Sequence, residues 1–596
     1  MGMEFDDILK DVGGFGRYQK LLLIIFILPP CLAGAFHGFS QIFTVAVPED
    51  YWCRIPKAER LGIGPSRIKP TLPRELIDGK LQHSQCTVHE KTAPIINNMT
   101  DQWSFNYNVS LPCPWGWNYD RSVYESTVVM DWDLVCDKAF YPKLSLFIHA
   151  IGAVLGTILF GYLTDEIGRK KTFCIAAMTQ LLTGVATAFA PNFIVFCIIR
   201  FLNGLTIVPV WLIPLIMALE FTGPSKRTLV GTVGALFYTF GLLGLGGLAY
   251  LIRNWVHLQL AVTLPFVFIF GYYWWMPESP RWLMSKGRFP EMLVIVRKIA
   301  KQNRAGLPED YFAKLLAMFD HSQTDEQTNK RKNCLIDLFR TANLCKKSCL
   351  IIFISFTNSL VCVGLTFFMP LLCGIDHINF IYGAVIQLPA YPVLYFSLTR
   401  FGRRVLLMLS LILAGSFLIL RALVPDTNHT AVIILLLISK FSVTLSCVIT
   451  NLVAAETFPT VLRGAGSSLT QTVSSIGLCL SPFVAHMGMR HSRWLPPLIF
   501  GVLGIVGGML SLLLPETLGQ SLPETLTEAE AFGKGCRTWK NCLKLTGNAE
   551  SSQVPESGPS HHEVKRLEAT RQNGVEVEED SSLLSLPQVK CYQVKF

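Results

Sequence analysis

The sequence predicts an all-α integral membrane fold with twelve transmembrane helices in two bundles of six. Its 596 residues are 51% hydrophobic and only 16% charged, and the mean hydropathy of +0.40 is higher than that of soluble globular proteins. The apolar residues form runs such as 144–160 and 194–218, several of them long enough to cross about 30 Å of hydrocarbon. Such runs indicate helices, because only helices and closed barrels satisfy the backbone in lipid. A repeat of the loop motifs divides the helices into two equal halves.

The basic residues lie in short loops between the predicted helices, at alternate ends of successive helices. A net charge of +10 in a soluble domain would suggest a nucleic-acid partner, but this distribution is the one that the positive-inside rule describes for membrane proteins. We therefore expect a lipid bilayer as partner, no nucleic acid, and both termini in the cytosol. Asp6, Asp7 and Asp11 precede the first apolar run and argue against a cleavable signal.

The loop 48–141 has the features of an extracellular domain. It contains four cysteines and two glycosylation sequons, a combination typical of an oxidising compartment: Cys53, Cys86, Cys113, Cys136, Asn98 and Asn108. Four cysteines allow three disulfide connectivities, and the sequence does not choose among them. A further sequon begins at Asn428, between two late helices, and is also predicted to lie outside.

Three loop motifs occur twice in the chain, with a shift of about 236 residues. The pair Glu220 and Arg227 recurs as Glu456 and Arg463. Two more motifs recur in the same way, Gly168-Arg169 as Gly402-Arg403 and Pro277-Glu278 as Pro515-Glu516. All lie at predicted cytosolic helix ends, so the halves are related by parallel repetition and solute is expected between them near mid-membrane.

This organisation divides the chain into five predicted regions. They are a cytosolic N-terminus (1–20), an N-terminal six-helix bundle that includes the outer loop (21–280), a cytosolic central loop (281–348), a C-terminal six-helix bundle (349–515) and a cytosolic, largely disordered tail (516–596).

The segment 161–171 resembles the loop signature of the major facilitator superfamily, and it contains Asp165, Gly168 and Arg169. The resemblance implies that Asp165 and Arg169 can bridge to the neighbouring bundle when the cytosolic gate is shut. Thr399 stands where the second copy would have an aspartate, so that half should be held less tightly by charge. The predicted gating residues are Asp165, Arg169, Glu220, Arg227, Glu278, Arg281, Glu456 and Arg463.

Four segments narrow the resemblance to the organic cation, anion and zwitterion transporters of this superfamily. They are 14–19, 132–136, 277–283 and 456–463. The resemblance implies alternating-access transport of small amphipathic organic solutes across the plasma membrane.

Several positions depart from that family's charge pattern. Ser475 stands where cation members carry aspartate and many anion members arginine, Gln387 where a carboxylate is usual, and Tyr391 where anion members often have lysine. A buried charge in a membrane is costly and is normally kept for function, so these losses remove a simple way to discriminate solutes by charge. Local sequence drift is the alternative interpretation.

The aromatic residues favour cations or zwitterions slightly over anions. Trp211 and Tyr238 remain, and aromatic faces attract organic cations by about 0.5–2 kcal/mol. Ordinary packing is the alternative for Trp211. Lys440 could anchor an anion, but it matches Arg200 in the repeat, which favours a structural role. The predicted solute-binding residues are Trp211, Tyr238, Asn358, Cys362, Gln387, Tyr391, Lys440 and Ser475.

Two other functions stay open from the sequence, an organic anion transporter or exchanger and a non-transporting receptor or scaffold on the same fold. An enzyme is not expected, since the sequence has no phosphate-binding loop, no His-Glu-x-x-His motif and no paired-cysteine metal spacing. No cofactor and no metal are predicted, and transport driven by ATP hydrolysis in this chain is excluded.

The tail carries two short patterns that bind cytosolic partners in other proteins. Residues 579–584 resemble an acidic dileucine signal for a sorting adaptor, and 594–596 could add a strand to a PDZ domain. Chance is the simpler origin for patterns of this length.

Overall fold

The computed structural model describes residues 5–48, 50–56, 60, 68–69, 72–77, 80–89, 110–223, 226–308, 311–316, 335–371, 375–425, 427–459, 462–490, 494–517, 523 and 526–532. All of them belong to one compact unit, Met1–Leu545.

The N-terminal half begins with a short helix, which is predicted to be cytosolic, and contains six membrane-crossing helices. Its helices are α1 (Phe5–Asp11), α2 (Arg17–Thr44), α3 (Phe140–Ile167), α4 (Arg169–Ala188), α5 (Phe193–Phe221), α6 (Arg227–Leu251) and α7 (Trp255–Trp275). A π-helical turn interrupts α2 at Leu23–Ile27, and α7 continues through a 3-10 segment at Leu264–Gly271. Two cytosolic helices follow, α8 (Pro280–Ser285) and α9 (Phe289–Asn303).

The C-terminal half repeats the arrangement. Its helices are α10 (Ala342–Phe368), α11 (Asp376–Val385), α12 (Ala390–Arg400), α13 (Arg403–Leu423), α14 (His429–Thr457), α15 (Arg463–Arg490), α16 (Leu495–Ser511) and the short α17 (Leu526–Ala531). The helices α11 and α12 form one crossing, and Pro389 lies at the break between them.

The predicted all-α membrane fold is confirmed. Within the described residues, nine helices are long and apolar enough by themselves to cross a bilayer. The other three crossings are α4, α15 and the 17-residue α16. With these three, six crossings lie in each half, as the internal repeat predicts.

Small residues allow close helix contact within each half. In α3, the carbonyl group of Leu205 from α5 occupies the space that a Cβ on Gly156 would need. The carbonyl oxygen of Gly501 in α16 approaches Gly415 in α13 in the same way. Helix association in lipid depends on packing of this kind, because lipid tails are as apolar as leucine.

The apolar core is divided in a way that shows how the halves meet. One buried cluster at the outer end contains residues of both halves, among them Phe39, Leu245, Phe367 and Phe380. A second cluster belongs to the cytosolic side of the N-terminal half alone, and a third to that of the C-terminal half alone. The halves are therefore packed together at the outer end and have separate cores at the cytosolic end.

The outer domain contains three two-stranded antiparallel ladders. They pair β1 (Tyr51–Cys53) with β6 (Trp117–Tyr119), β2 (Arg74–Ile77) with β3 (Lys80–His83), and β4 (Thr87–His89) with β5 (Ser110–Pro112). The disulfides are Cys53–Cys113 and Cys86–Cys136, one of the three connectivities that the sequence allowed. The second disulfide joins the ladders to the segment just before α3.

The cytosolic segments around the N-terminal half form a small platform. Asn303, at the end of α9, donates to the backbone oxygens of Val12 and Gly13, both at 3.1 Å, and accepts from the backbone of Tyr18. These contacts fix the chain between α1 and α2 against α9. The predicted regions 1–20 and 281–348 thus include structured helices.

A similar contact ends the C-terminal half. Glu530 of α17 accepts hydrogen bonds from the backbone N–H groups of Asn343 and Leu344, at the start of α10. A carboxylate is favourable there, because the first N–H groups of a helix have no partner inside it. The first part of the predicted tail 516–596 therefore packs as a helix on the bundle.

Candidate solute site and gates

An aromatic pair from the N-terminal half lies at the centre of the candidate site. The ring centroids of Trp211 in α5 and Tyr238 in α6 are 5.7 Å apart and the rings are tilted by 58°. Gly34 and Gly38 of α2 face this pair, and the Trp211 side chain fills the space that a Cβ on Gly34 would need. Two helices thus build one aromatic wall, and a third, glycine-lined helix packs against it.

The C-terminal half reaches this wall through Tyr391 of α12. Its hydroxyl oxygen lies 2.7 Å from Oγ1 of Thr239 and 3.1 Å from the carbonyl oxygen of Ala235, both in α6. The predicted solute-binding residue Tyr391 is therefore also a contact between the halves, and that contact must break when the halves separate.

Asn358 joins two helices of the C-terminal half. Its Nδ2 donates to Oγ1 of Thr450 at 2.7 Å, and its Oδ1 accepts from Oγ of Ser446 at 2.5 Å. The side chain is buried, with both ends of its amide bonded to α14. In this conformation Asn358 positions α14 against α10.

Lys440 is bonded within the protein. Its Nζ donates to the backbone oxygen of Cys362 at 2.8 Å and to Oγ1 of Thr366 at 2.5 Å, and only 2% of the residue is exposed. Its repeat-mate Arg200 donates to Oγ1 of Thr44 at 3.0 Å. Each cation therefore ties the fourth crossing of its half to the outer part of the first crossing, which supports the structural interpretation.

Two further predicted residues have different surroundings. Gln387 donates to the backbone oxygen of Gly383 and, with Lys440, lines a cavity of about 10 Å³ that residues of both halves enclose. Ser475 lies on another side of the bundle, with its Oγ 3.2 Å from Oγ1 of Thr157 in α3.

A larger cavity of about 220 Å³ lies away from this site, between α4 and α7.

Two glutamates at equivalent positions of the repeat accept hydrogen bonds from the first backbone N–H groups of α4 and α13. Oε1 of Glu278 accepts from the backbone N–H groups of Arg169 and Lys170, at 2.9 and 3.1 Å. In the second copy, Glu516 accepts from the N–H groups of Arg403 and Arg404, at 2.8 and 3.2 Å. Gly168, with a φ of 102°, adopts the left-handed turn that leads into α4.

The arginine that follows each glycine pairs with a duplicated glutamate. Arg169 lies 3.2 Å from Glu220, and Arg403 lies 3.4 Å from Glu456. Arg169 also lies 3.2 Å from Asp165, whose side chain is 79% exposed. Each of these ion pairs lies within a single half.

The comparisons with known proteins agree with this architecture. Residues 119–528 match the family model described as sugar (and other) transporter. The chain is 36% identical over 582 residues to the carcinine transporter of Drosophila melanogaster, covering 96% of this chain and 86% of that protein. It is 34% identical to the β-alanine transporter of the same organism, covering 89% of each chain. It is 31% identical to the organic cation/carnitine transporter 2 of Homo sapiens, covering 88% of this chain and 94% of that protein.

The chain belongs to the sugar (and other) transporter family of the major facilitator superfamily. The predicted family and the predicted function, alternating-access transport of small organic solutes, are confirmed. A partially occluded inward-open structure of the Escherichia coli xylose transporter has a TM-score of 0.53 at 16% identity, covering 84% of this chain and 100% of that one, and it shows the fold alone.

The outer end of the transporter is closed. Oη of Tyr124 donates to Oδ2 of Asp376 at 2.8 Å, and Phe43 stacks on His377 with centroids 5.0 Å apart. Phe147 of α3 meets Phe483 of α15 at 4.7 Å. The halves are therefore packed together at the end that carries the disulfide-bonded domain, and their cores are separate at the other end.

The predicted bridge from Asp165 and Arg169 to the other bundle concerns the opposite conformation, so it stays a prediction. The side chains of Arg463 and Thr399 lie outside the described residues, as do the sequons at Asn98 and Asn108 and the tail patterns at 579–584 and 594–596.

Asp6 is a partner of the predicted gating residues that the sequence did not indicate. Its Oδ1 pairs with Arg227 at 2.5 Å and also with Arg281, so α1 joins two of the predicted gating cations. Burial and the neighbouring Arg227 lower the pKa of Arg281, and Asp6 opposes that change. The acidic first turn of α1 was the available signal, but its partners are more than 200 residues away in the chain.

Proposed function

We propose that this transporter carries small organic cations or zwitterions through a site centred on Trp211 and Tyr238. The observation that carries the proposal is the tilted pair of half-buried rings, Trp211 and Tyr238, beside the contact that Tyr391 makes between the halves. Aromatic faces attract organic ammonium groups, and the attraction increases when water is excluded. The relatives named for carcinine, β-alanine and carnitine support solutes that carry an amine or ammonium group.

The surroundings of this pair suggest weak selectivity for net charge. In the described parts of α5, α6, α10, α11, α12 and α14, the acidic residues are Glu220, Asp376 and Glu456, all at helix ends. Lys440 is already bonded to the protein. A site made of π faces, hydroxyl groups and backbone oxygens accepts a zwitterion without leaving a fixed charge unpaired.

Alternating access follows from the contacts that join the halves. Solute enters from the cytosol in the conformation described here and meets the aromatic wall beside Tyr391. Closing the cytosolic end requires the outer contacts, such as Tyr124 with Asp376, to break. The bond from Tyr391 to Thr239 lies between these two regions, so solute bound there can influence which end is open.

Plasma-membrane location with both termini in the cytosol is part of this proposal. The outer domain carries two disulfides, and Asn428 is exposed at the start of α14, on the same side of the membrane. We infer no enzymatic activity of the chain itself. A PDZ protein or sorting adaptor at the tail stays a prediction.

The test is uptake of labelled cationic, zwitterionic and anionic solutes into cells that express the protein, at several membrane voltages and matched surface expression. We expect saturable uptake of cations or zwitterions. Uptake of anions that is lost in Lys440→Gln would instead indicate an anion transporter. Normal surface delivery without uptake of any class would indicate a receptor or scaffold.

A further inference from the structure

Two free thiols lie side by side in the wall of the candidate site. Cys362 of α10 and Cys447 of α14 interact with each other through their side chains. The sulfur of Cys447 also lies 3.6 Å from Oδ1 of Asn358, one helical turn before Cys362. These contacts bring the two sulfur atoms to neighbouring positions on different helices.

Both thiols face the space between the halves. Each is partly exposed. Cys362 interacts electrostatically with Tyr238, from the opposite half, and with Tyr391, while Cys447 interacts with Tyr391. Nζ of Lys440 lies 3.9 Å from the sulfur of Cys362. A reagent that enters the cytosolic opening and reaches the aromatic pair therefore also reaches the two thiols.

We propose that Cys362 and Cys447 form a dithiol site that binds thiophilic electrophiles of the trivalent arsenical class, and that occupation of this site blocks transport. An aryl arsenoxide condenses with two thiols. Two As–S bonds form, two S–H bonds break, and both protons leave with the arsenoxide oxygen as one water molecule. Arsenic stays trivalent, so the reaction needs no oxidant.

Blocked transport follows from the position of the bridge. The adduct joins α10 to α14 within the C-terminal half, beside the bonds from Asn358 to Ser446 and Thr450. The aryl group occupies space next to Tyr238 and Tyr391, where the halves meet. The inhibition concerns this site and does not depend on which solute is carried.

The chain contains a matched control pair. Cys345 and Cys349 also interact through their side chains, but both lie on α10, one turn apart near its start. They precede Cys362 by 13 residues or more, which is roughly 20 Å along the helix. An arsenic bridge there places its aryl group away from Tyr238 and Tyr391, so the two sites differ in whether the adduct occupies the contact between the halves.

The experiment treats the purified full chain with phenylarsine oxide and maps the adducts by peptide mass spectrometry. One arsenic atom linking the peptides of Cys362 and Cys447 is expected, with release by a small dithiol. In proteoliposomes, the same treatment should lower uptake at least tenfold, and Cys362→Ser and Cys447→Ser should each abolish that sensitivity. The control variant Cys345→Ser/Cys349→Ser should stay fully sensitive.

Several results would overturn the proposal. They are arsenic bound only at Cys345 and Cys349, arsenic on single cysteines without a link, or resistance of the control variant. Because the adduct map uses the unaltered protein, a serine variant that fails to fold does not prevent the test.

Discussion

Oη of Tyr124 lies 2.8 Å from Oδ2 of Asp376, and this hydrogen bond joins the outer domain to the C-terminal half. Tyr124 is buried between β6 and the helical turn Val128–Asp131, while Asp376 begins α11. A carboxylate at a helix start is favourable, so the bond adds to an already favourable position. The outer domain is therefore a physical part of the outer gate.

Tyr124→Phe should shift the transporter toward the outward-open conformation. The variant keeps the ring and removes a hydrogen bond to a charged group, an interaction of about 1.5–3 kcal/mol. The measurement is labelling of Phe380→Cys, in the closed outer cluster, by an impermeant maleimide applied outside the cell. Faster labelling is expected with Tyr124→Phe than without it.

The control for that experiment is Tyr141→Phe, since Tyr141 is exposed at the start of α3. Unchanged labelling in Tyr124→Phe, with normal surface expression, would show that the bond does not help to close the outer end.

Glu220→Gln should destabilise the conformation described here more than Asp165→Asn does. Arg169 and Glu220 are each only 15% exposed, whereas Asp165 is 79% exposed. Loss of the Glu220 charge leaves a half-buried guanidinium without its partner, at a cost of about 1–3 kcal/mol. An exposed pair contributes about 0–1 kcal/mol. Thermal unfolding of the purified variants measures the difference.

Asp165→Asn has a separate expected effect on turnover, because Asp165 is predicted to bridge the bundles when the cytosolic end closes. A coupling of about 1–3 kcal/mol would lower the transport rate while solute affinity stays nearly constant. Thr399→Ala is the matched control and should cost little. Equal, small effects of both changes on the rate at matched surface expression would contradict the gate assignment.

Breaking either disulfide should reduce surface delivery more than it changes apparent solute affinity. Cys53–Cys113 and Cys86–Cys136 close loops of 60 and 50 residues, and bridges of this span stabilise by about 4 kcal/mol in the chain-entropy model. Surface biotinylation and uptake kinetics measure the two quantities. Cys86→Ser/Cys136→Ser should resemble each single change, since one bond is lost in all three.

A cysteine variant that reaches the surface normally and loses only affinity would place the outer domain in the solute site. A double variant that is worse than both single variants would contradict the pairing.

Trp211→Ala should raise KM for organic cations by about 2- to 30-fold, which corresponds to the usual range of cation–π interactions. Trp211→Phe should lose less, because it keeps an aromatic face. Trp275→Ala is the control, since Trp275 is 75% exposed on α7. Uptake kinetics at matched surface expression measure the effect. Equal changes in Trp211→Ala and Trp275→Ala would indicate a packing role for Trp211.

The sequence indicated five of the residues that lie in or near the candidate site. Trp211, Tyr238, Gln387, Tyr391 and Lys440 were named from the resemblance, and the structure places them around the interface between the halves. The sequence did not indicate that Tyr391 bonds to Thr239, because a hydroxyl contact between residues 152 positions apart leaves no local pattern.

The sequence by itself determined the membrane class, the six crossings in each half and the outer, oxidised loop. These properties depend on local or covalent features, namely the length of apolar runs, the side of the basic loops and the spacing of repeated motifs. They hold for any packing of the helices.

Only the tertiary structure decided which cysteines pair, that Asp6 joins Arg227 and Arg281, and that Tyr124 closes the outer end on Asp376. The physical reason is common to all three. Each is a short-range contact whose energy depends on distances of a few ångströms between segments far apart in the chain, and only the packed bundle sets those distances.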